Sequence, residues 1–370
     1  MSALNSLSLH SGLLHRAHRG VAQQRQQWCT TQRHRRQGGV ISRVAVQCTA
    51  AGRLALFSPS KINLFLRVMR RREDGFHDLA SLFHVIDLGD DMTFELLPEG
   101  ADRDQLSCSD PSIPSDDSNL VIKALHLFRR KTQTARFFGV TLQKKVPHGA
   151  GLGGGSGNAA TTLWAANELM GRPATAAQLL QWSGEIGSDI SVFFSLGAAY
   201  CTGRGEVVED VAPPLPLTTP LLLVKPPVGL ATPRIFKSLD LSRRSAADPL
   251  ELLAGMTKAG VTGSPLPQAL CVNDLEQPAF DNLPELKELK ERLASSPVGS
   301  SPQDSPGGAE QQRPAAVFMT GSGSTIVSVG CDTPPAFLAD ANYKDMFVSP
   351  ARLIVRQPDQ WYVHSGQWKA

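Results

Sequence analysis

The 370-residue chain contains no Gly-Lys dipeptide, which excludes a Walker A phosphate loop because that loop ends in Gly-Lys-Ser/Thr. It contains neither His-Arg-Asp nor Asp-Phe-Gly, which excludes a protein kinase. No apolar run reaches the roughly 20 residues of a membrane-spanning helix, so we expect no membrane partner. The six cysteines form no Cys-x-x-Cys pair, and this spacing argues against a metal cluster or a disulfide scaffold.

Acidic residues are missing from the start of the chain, where Glu73 is the first. Residues 1–50 hold seven arginines, four histidines and many Ser and Gln, a composition typical of an organelle transit peptide. Removing these seven from the 37 basic residues leaves 30 against 34 acidic residues, a net charge of −4. We therefore expect no nucleic-acid partner, although a basic arm for RNA or a membrane is the alternative interpretation of residues 1–50.

Glycine, by contrast, is concentrated between Pro147 and Asn158, where the chain reads Pro-His-Gly-Ala-Gly-Leu-Gly-Gly-Gly-Ser-Gly-Asn. Bare backbone of this kind can approach a ligand closely, and successive amides can form an anion-binding nest. Residues 138–143 alternate as in a half-buried strand, and residues 158–170 have the apolar spacing of one helical face. A strand, a glycine loop and a helix N-terminus together predict a phosphate site.

Two other interpretations of this loop fit less well. A dinucleotide fingerprint would use Gly149, Gly151 and Gly154, but the only acidic residue at the right distance, Glu168, lies inside the predicted helix. A flexible glycine linker would seldom lead into an amphipathic helix.

Proline marks the predicted domain boundary, with four prolines over 213–220. Strands interspersed with helices predict a two-domain α+β protein. The predicted divisions are a transit peptide over 1–50, an N-terminal domain over 51–213, a C-terminal domain over 214–356 and a loose tail over 357–370. Residues 295–314 are rich in Ser, Pro, Gly and Gln, which predicts a disordered insertion.

The pattern of apolar residues also predicts the individual elements. Strands are expected over 54–57, 62–68, 138–143, 198–202, 206–209, 221–225 and 353–355, and a hairpin turn over 320–323. Helices are expected over 119–130, 158–170, 175–186, 250–259 and 284–293. Asp117 or Ser118 is predicted to cap the helix over 119–130, and Thr175 the helix over 175–186.

Two polar positions in apolar surroundings are candidates for chemistry. Alternation over 61–68 places Lys61 and Asn63 opposite four aliphatic residues, so they face either a polar cleft or solvent. Asp189 precedes an apolar segment, as either a helix N-cap or a functional carboxylate beside a charged partner.

The glycine segment resembles the ATP-phosphate loop of the GHMP kinases, which phosphorylate hydroxyl groups of small metabolites. Two further segments match that family in order: Ser58-Pro-Ser-Lys-Ile-Asn-Leu-Phe-Leu with Asp74-Gly-Phe-His, and Val317-Phe-Met-Thr-Gly-Ser-Gly-Ser-Thr. Residues 187–194, 203–206 and 273–276 also fall where the family has such stretches. The resemblance extends from about residue 56 to residue 329, and it implies the two-domain GHMP kinase fold with an active site in the cleft between the domains.

The resemblance implies two catalytic residues, with Asp189 as the base and Lys61 keeping it ionised and steadying the attacking oxygen. In an alternative division of roles, Asp189 only orients the hydroxyl, because a loose phosphoryl-transfer transition state demands little base strength. The implied ATP-binding residues are Pro147, His148, Gly149, Ala150, Gly151, Leu152, Gly153, Gly154, Gly155, Ser156, Gly157, Gly321, Ser322 and Gly323.

The match of Asp74-Gly-Phe-His points to the family branch that phosphorylates 4-diphosphocytidyl-2-C-methyl-D-erythritol in plastid isoprenoid synthesis. The implied substrate-binding residues are Asn63, Phe76, His77 and Phe236, with His77 bonding the cytosine edge and both phenylalanines stacking on its ring. ATP and Mg²⁺ are the implied cofactors, the metal ligands being unassigned, and the precursor would meet the plastid import machinery on its way to the chloroplast stroma. A GHMP kinase for homoserine, mevalonate or a sugar, and a non-catalytic regulator that binds nucleotide or metabolite, are the alternatives.

Two positions depart from the family pattern. Gly157 stands where a second serine is usual, so a hydroxyl that helps to hold Mg²⁺ or phosphate would have to come from Ser156 or water. Ser191 replaces the proline usual two positions after the aspartate, which predicts a looser turn.

Overall fold

The computed structural model describes residues 52–297 and 313–363. The predicted transit peptide lies outside these residues, as does most of the predicted insertion over 295–314. The described residues belong to one compact unit. The division into two domains at residue 213 stays a prediction.

The first part of the chain forms one sheet and the helices that cover it. Its strands are β1 (Arg53–Arg71), β2 (His77–Leu96), β3 (Gln105–Cys108), β4 (Phe138–Gln143), β5 (Ala198–Gly203) and β6 (Val207–Asp210). Its helices are α1 (Leu120–Thr132), α2 (Gly154–Leu169) and α3 (Ala176–Ser183), followed by the 3-10 helix Ser188–Phe194. The sheet has the order β3-β4-β2-β5-β6, and β1 also pairs with β2. Only β3 and β4 run parallel among these described pairs.

The second part of the chain forms an antiparallel sheet of order β10-β7-β9-β8. Its strands are β7 (Leu221–Lys225), β8 (Ala316–Met319), β9 (Ile326–Val329) and β10 (Phe347–Ala351). The helices are α4 (Thr232–Lys237), α5 (Pro249–Thr262), α6 (Glu276–Asn282) and α7 (Pro284–Ser295). Residues 211–220, where prolines predicted a boundary, connect the two sheets.

Strand β1 departs from strict alternation. Asn63 pairs with Phe83 and Phe65 pairs with Leu82, so Leu64 has no place in the pairing with β2 and the strand bulges there. Ile62, Leu64 and Phe65 consequently pack in the same apolar cluster. The predicted polar face therefore ends at Asn63, which still leaves Lys61 and Asn63 on a common side.

Helix α2 is buried all round, with every residue over 157–167 inside. It packs against α1, β1 and the 3-10 helix Ser188–Phe194, and its many small side chains allow this close enclosure. The prediction of a single apolar face over 158–170 is therefore wrong. The helix also begins earlier than predicted, within the glycine loop.

Of the two predicted helix caps, one is confirmed and the other is wrong. Thr175 caps α3, and its partner Gln178 completes a capping box. The cap of α1 is Asn119, whose side chain accepts from the amide of Val121 at 2.8 Å, so the prediction of Asp117 or Ser118 is wrong.

The end of the described chain corrects two further predictions. The strand expected over 353–355 is wrong, since β10 ends at Ala351 and Leu353 makes a single bridge to Ile86. The loose tail expected over 357–370 is also wrong for its first seven residues, because Trp361 and Tyr362 are almost completely buried. Their rings pack with Trp164 and Phe194 in the core beneath the first sheet. Burial of these large aromatic side chains stabilises the segment more than burial of polar side chains would.

Within the part of the chain that the structure describes, no helix combines the length and the apolar character needed to cross a membrane.

Candidate active site

A cavity of about 460 Å³ is bordered by β1, the glycine loop, the start of α2 and the turn between β8 and β9. The predicted site residues in its wall are Lys61, Asn63, all of residues 147–156, Asp189, Phe236, Gly321 and Ser322. The cavity wall does not include Phe76, His77, Gly157 or Gly323. The structure thus gathers the catalytic candidates and most of the predicted phosphate loop around one space.

The glycine loop ends in the N-terminus of α2. Gly153 is the N-cap residue, its φ of 67° lies in the left-handed region, and no side chain caps the helix. The first amides of a helix have no acceptor within it, and the positive end of the helix dipole lies at the same place. Gly154, Gly155 and Ser156 therefore present an anion site to the cavity.

The loop glycines serve different purposes. A Cβ on Gly151 would lie 2.3 Å from the carbonyl oxygen of Thr320, and one on Gly153 would lie 2.9 Å from Cε of Lys61. A Cβ on Gly155 would meet nothing closer than 3.7 Å. The first two glycines let protein segments approach each other, whereas Gly155 leaves open space that only a ligand would need.

Gly157, like Gly151 and Gly153, lies where two protein segments approach each other closely. A Cβ there would lie 2.2 Å from the carbonyl oxygen of Pro59 and would point at the ring of Phe193. A Cβ on Gly323 would likewise meet the protein, at the sulfur of Met319, and neither glycine lines the cavity, so their roles in ATP binding stay predictions. Both positions face neighbouring protein segments.

Lys61 is buried with its ammonium group at the cavity. Nζ donates to Oδ1 of Asn63 at 2.7 Å and to the carbonyl oxygen of Gly151 at 2.9 Å, and it lies 3.5 Å from Oδ2 of Asp189. Burial lowers the pKa of Lys61, while the charge of Asp189 opposes that shift. The buried lysine thus keeps a cationic group next to an anionic one at the edge of an open space.

Asp189 lies in the first turn of the 3-10 helix Ser188–Phe194, whose N-cap is Gly187. The N-cap interpretation of Asp189 is therefore wrong. Its side chain is 41% exposed, in contrast to 3% for Lys61. A carboxylate that is open to the cavity and close to a buried ammonium can accept a proton from a bound hydroxyl.

The looser turn expected at Ser191 stays a prediction. Ser191 is buried, and its Oγ lies 3.0 Å from Oγ of Ser183 at the end of α3. This hydrogen bond links the 3-10 helix Ser188–Phe194 to the end of α3.

The aromatic residues are arranged differently from the prediction that Phe76 and Phe236 both stack on the cytosine ring. The rings of His77 and Phe236 stack on each other with centroids 5.2 Å apart and an interplanar angle of 29°. Phe76 is 55% exposed, and the guanidinium of Arg204 lies 5.2 Å from its ring centre. Burial and the charge of Arg71 lower the pKa of His77, which favours a neutral imidazole. A base that stacks on Phe236 from the His77 side would have to displace His77.

The sequence interpretation missed a buried ionic cluster beside the glycine loop. Asp90, at the end of the β2 segment that faces the loop, pairs with Nζ of Lys144 and accepts from Nδ2 of Asn158 at 2.8 Å. Its other oxygen accepts from the amides of Lys145 and Val146. Lys144 and Asn158 both line the cavity. Asp90 is completely buried, and a buried carboxylate demands such partners, but the other acidic residues of β2 hide this signal in the sequence.

The glycine turn between β8 and β9 is fastened from two sides. Nδ2 of Asn273 donates to the carbonyl oxygens of Met319 and Gly321, at 2.8 and 2.9 Å. Thr320 Oγ1 accepts from the amide of Asn63 at 2.8 Å. The stretch 273–276 therefore holds the turn against the strand that carries Lys61.

Comparison with known proteins gives consistent results. A family model described as the GHMP kinases N terminal domain matches residues 119–197. The chloroplastic 4-diphosphocytidyl-2-C-methyl-D-erythritol kinase of Oryza sativa subsp. japonica is 54% identical over 311 residues, covering 84% of this chain and 73% of that protein. The kinase of the same name from Protochlamydia amoebophila is 42% identical over 310 residues, covering 84% and 93%.

Solved structures confirm the predicted α+β GHMP kinase fold. A crystal structure of 4-(cytidine 5'-diphospho)-2C-methyl-D-erythritol kinase has a TM-score of 0.58 and 27% identity, covering 81% of this chain and 99% of that one. A homoserine kinase from Cytophaga hutchinsonii has a TM-score of 0.62 at 14% identity, covering 84% and 97%. This second likeness shows a shared fold alone.

Proposed function

This chain belongs to the family of 4-diphosphocytidyl-2-C-methyl-D-erythritol kinases, and we propose that it transfers the γ-phosphoryl group of ATP to the 2-hydroxyl of 4-diphosphocytidyl-2-C-methyl-D-erythritol. The reaction is a step of the non-mevalonate route to isoprenoids. The observation that carries the proposal is the meeting of Lys61 and Asp189, 3.5 Å apart, in the wall of a cavity that also contains the glycine loop.

ATP is the phosphoryl donor, and we place its phosphates at the N-terminus of α2. The unpaired amides of the first helical turn and the cation of Lys144 favour negative charge there. Asp90 and Asn158 hold Lys144 in place, so this cation needs little reorganisation when ATP binds.

The transfer itself needs a hydroxyl in line with the γ-phosphorus and a destination for its proton. In the proposed reaction the substrate oxygen forms a bond to the γ-phosphorus while the bond to the β-phosphate oxygen breaks and ADP leaves. Asp189 accepts the hydroxyl proton, and Lys61 stabilises negative charge on the attacking oxygen. Asn63, which accepts a hydrogen bond from Lys61, keeps that ammonium turned toward the cavity.

We propose that Mg²⁺ enters this cavity together with ATP. Within residues 52–297 and 313–363, no group of three or more His, Cys, Asp or Glu side chains is arranged to hold a metal ion. Mg²⁺ bound to nucleotides needs few protein ligands, because phosphate oxygens and water supply most of its coordination. The Ser156 hydroxyl lines the cavity and would hold the ion, which when bound neutralises charge on the phosphates.

The cytidine group is the feature that separates this substrate from those of other GHMP kinases. We propose that it binds against Phe236, with His77 moving from its stacked position to meet the cytosine edge. Phe76 and Arg204 then form the outer border of that subsite.

We propose the chloroplast stroma as the location, on the basis of the arginine-rich, acid-free residues 1–50 and of the chloroplastic relatives in plants. The precursor would be a partner of the plastid import machinery. Residues 1–50 fused to a fluorescent reporter should carry it into plastids, and a reporter left in the cytosol would reject this location.

The activity is tested with the purified chain, ATP and a panel of alcohols with and without the cytidine group. We expect phosphorylation of 4-diphosphocytidyl-2-C-methyl-D-erythritol and little of 2-C-methyl-D-erythritol, homoserine or mevalonate. Equal activity without the cytidine group would indicate another GHMP kinase. ATP binding without transfer to any alcohol would indicate a non-catalytic regulator.

A further inference from the structure

Arg356 is a buried cation outside the cavity. Its residue is 5% exposed, and it does not belong to the cavity wall. Its guanidinium donates to the carbonyl oxygens of Phe194 and Ser195, and to three carbonyls of its own segment, those of Gln357, Pro358 and Gln360. Among the residues that the structure describes, no carboxylate lies within ion-pair distance of it. A buried charge without a counterion depends on such hydrogen bonds, so these carbonyls are held firmly.

Two of these carbonyls belong to the end of the 3-10 helix that carries Asp189. Phe194 is the last residue of the helix Ser188–Phe194, and Ser195 is its C-cap. The hydroxyl of Tyr362 also donates to the carbonyl oxygen of Ser195, at 2.9 Å. The last carbonyls of a helix have no partner within it, and a cation at that end is favourable. Arg356 and Tyr362 together therefore anchor the C-terminal end of this short helix.

The position of Asp189 depends on that anchor. In the described part of the chain its carboxylate accepts no hydrogen bond from a backbone amide, and Lys61 lies at 3.5 Å. A 3-10 helix of seven residues has weak internal hydrogen bonds and little stability of its own. The place of Asp189 in the cavity is consequently set by what holds the helix.

The same segment reaches the strand that carries Lys61. Nε1 of Trp361 donates to the carbonyl oxygen of Phe57 in β1, at 3.0 Å. The Trp361 ring lies 5.1 Å from that of Trp164 in α2 and 5.7 Å from that of Phe194. Residues 356–362 are thus tied to both elements that supply the catalytic pair.

We propose that Arg356 is a positioning residue, which acts through the 3-10 helix Ser188–Phe194 to hold Asp189 at the correct distance from Lys61 and the substrate hydroxyl. Tyr362 and Trp361 support the same geometry. This inference rests on the proposed function, because it has a consequence for catalysis only if Asp189 acts on the hydroxyl. A displacement of about 1 Å at a reacting group can cost roughly 100-fold in rate.

Arg356→Lys is the first test, since lysine keeps the charge but cannot reach all five carbonyls. Well below the unfolding temperature, we expect kcat to fall by about 10-fold, while KM for ATP and for the cytidine substrate stays within about twofold. Tyr362→Phe should lower kcat in the same direction by less. The matched control is Leu289→Ala in α7, a buried residue in the apolar cluster of the second sheet, which should lower the melting temperature without changing kcat.

A double variant shows whether Arg356 acts through Asp189. If it does, Arg356→Lys should change the residual kcat of Asp189→Asn by less than about twofold, because the two changes damage one unit. The same factor in both backgrounds, or a wild-type kcat in folded Arg356→Lys, would overturn the proposal. If Arg356→Lys does not fold, Tyr362→Phe and Trp361→Phe are measured in the same two backgrounds, with the same criteria.

The two proposals fail in distinguishable ways. Wild-type turnover in Asp189→Asn rejects the base assignment, whatever Arg356→Lys does. Loss of turnover in Asp189→Asn with an unchanged kcat in Arg356→Lys rejects only the positioning role.

Discussion

Two parts of the candidate site are built differently. The phosphate part comprises residues 147–156 with Gly321 and Ser322, and the aromatic part comprises Phe76, His77 and Phe236. The phosphate part consists of backbone, with Gly151 and Gly321 in such close contact that neither has room for a Cβ. The aromatic part consists of side chains: the rings of His77 and Phe236 stack on each other, and Phe76 is exposed beside them. The backbone contacts at Gly151 and Gly321 are already formed, whereas the cytidine site as proposed would have to rearrange around its ligand.

This difference matters for specificity. All GHMP kinases need the same triphosphate, so a rigid backbone nest suits that end of the reaction. The acceptor differs between members of the family, and side chains are easier to exchange than a backbone path. Lys61 and Asp189 belong to neither part, and in the proposed reaction they lie where the phosphoryl group passes from one ligand to the other.

The largest effect is expected from adding a single methyl group to the phosphate part. Gly151→Ala places a Cβ 2.3 Å from the backbone oxygen of Thr320, at a residue with φ of 72°. We expect a loss of about 3 kcal/mol or more in the free energy of unfolding, measured by denaturant titration.

Gly155→Ala is the matched control, because its Cβ has room and its φ is ordinary. This variant should keep wild-type stability and raise KM for ATP, since only the ligand would meet the new methyl group. Equal stability of the two variants would contradict the claim that Gly151 is a packing position.

A smaller effect is expected in the aromatic part. Phe236→Ala and His77→Ala should each weaken binding of the cytidine substrate by about 1–3 kcal/mol, the range for one lost stacking contact, with KM for ATP unchanged. Phe76→Ala, at the exposed border, should cost less. KM for both substrates is measured in steady state, and a wild-type KM in both of the first two variants would remove the cytidine subsite from this position.

The pH dependence of stability gives the smallest effect and distinguishes two histidines. His84 is buried in β2, its Nε2 has no partner among the described residues, and burial lowers its pKa to about 4. Because the unfolded chain binds the proton more tightly, stability should be complete above the unfolded pKa of about 6.5 and fall as the pH drops toward 4.

Between pH 7 and pH 5.5 we expect a loss on the order of 1 kcal/mol, which thermal unfolding would detect. His84→Leu should flatten that slope, whereas His77→Ala should leave it nearly unchanged, since His77 is only partly buried. An unchanged slope in His84→Leu would show that another group is responsible.

The sequence predicted the features that depend on residues close together in the chain. The phosphate loop, the strand Leu221–Lys225 and the cap Thr175 follow from glycine spacing, apolar runs and capping chemistry within a few residues. Lys61 and Asp189 were recognised through family motifs, since alternation alone left solvent exposure open for one and capping for the other.

What the sequence left out depends on contacts between distant residues. The pairing of Asp90 with Lys144 joins positions 54 apart, and the bond from Trp361 to Phe57 joins positions 304 apart. The bulge at Leu64 results from the register between β1 and β2, which no pattern within β1 reveals. The orientation of Gly157 is equally a matter of how closely α2 approaches β1.

The most direct test of the catalytic pair is the turnover of Asp189→Asn, which keeps the size and polarity of the side chain but cannot accept the hydroxyl proton. We expect kcat to fall by roughly 10²–10⁴-fold with KM for both substrates nearly unchanged. Lys61→Ala should lose a comparable factor, and the double variant much less than the product of the two. Wild-type turnover in folded Asp189→Asn protein would contradict the account.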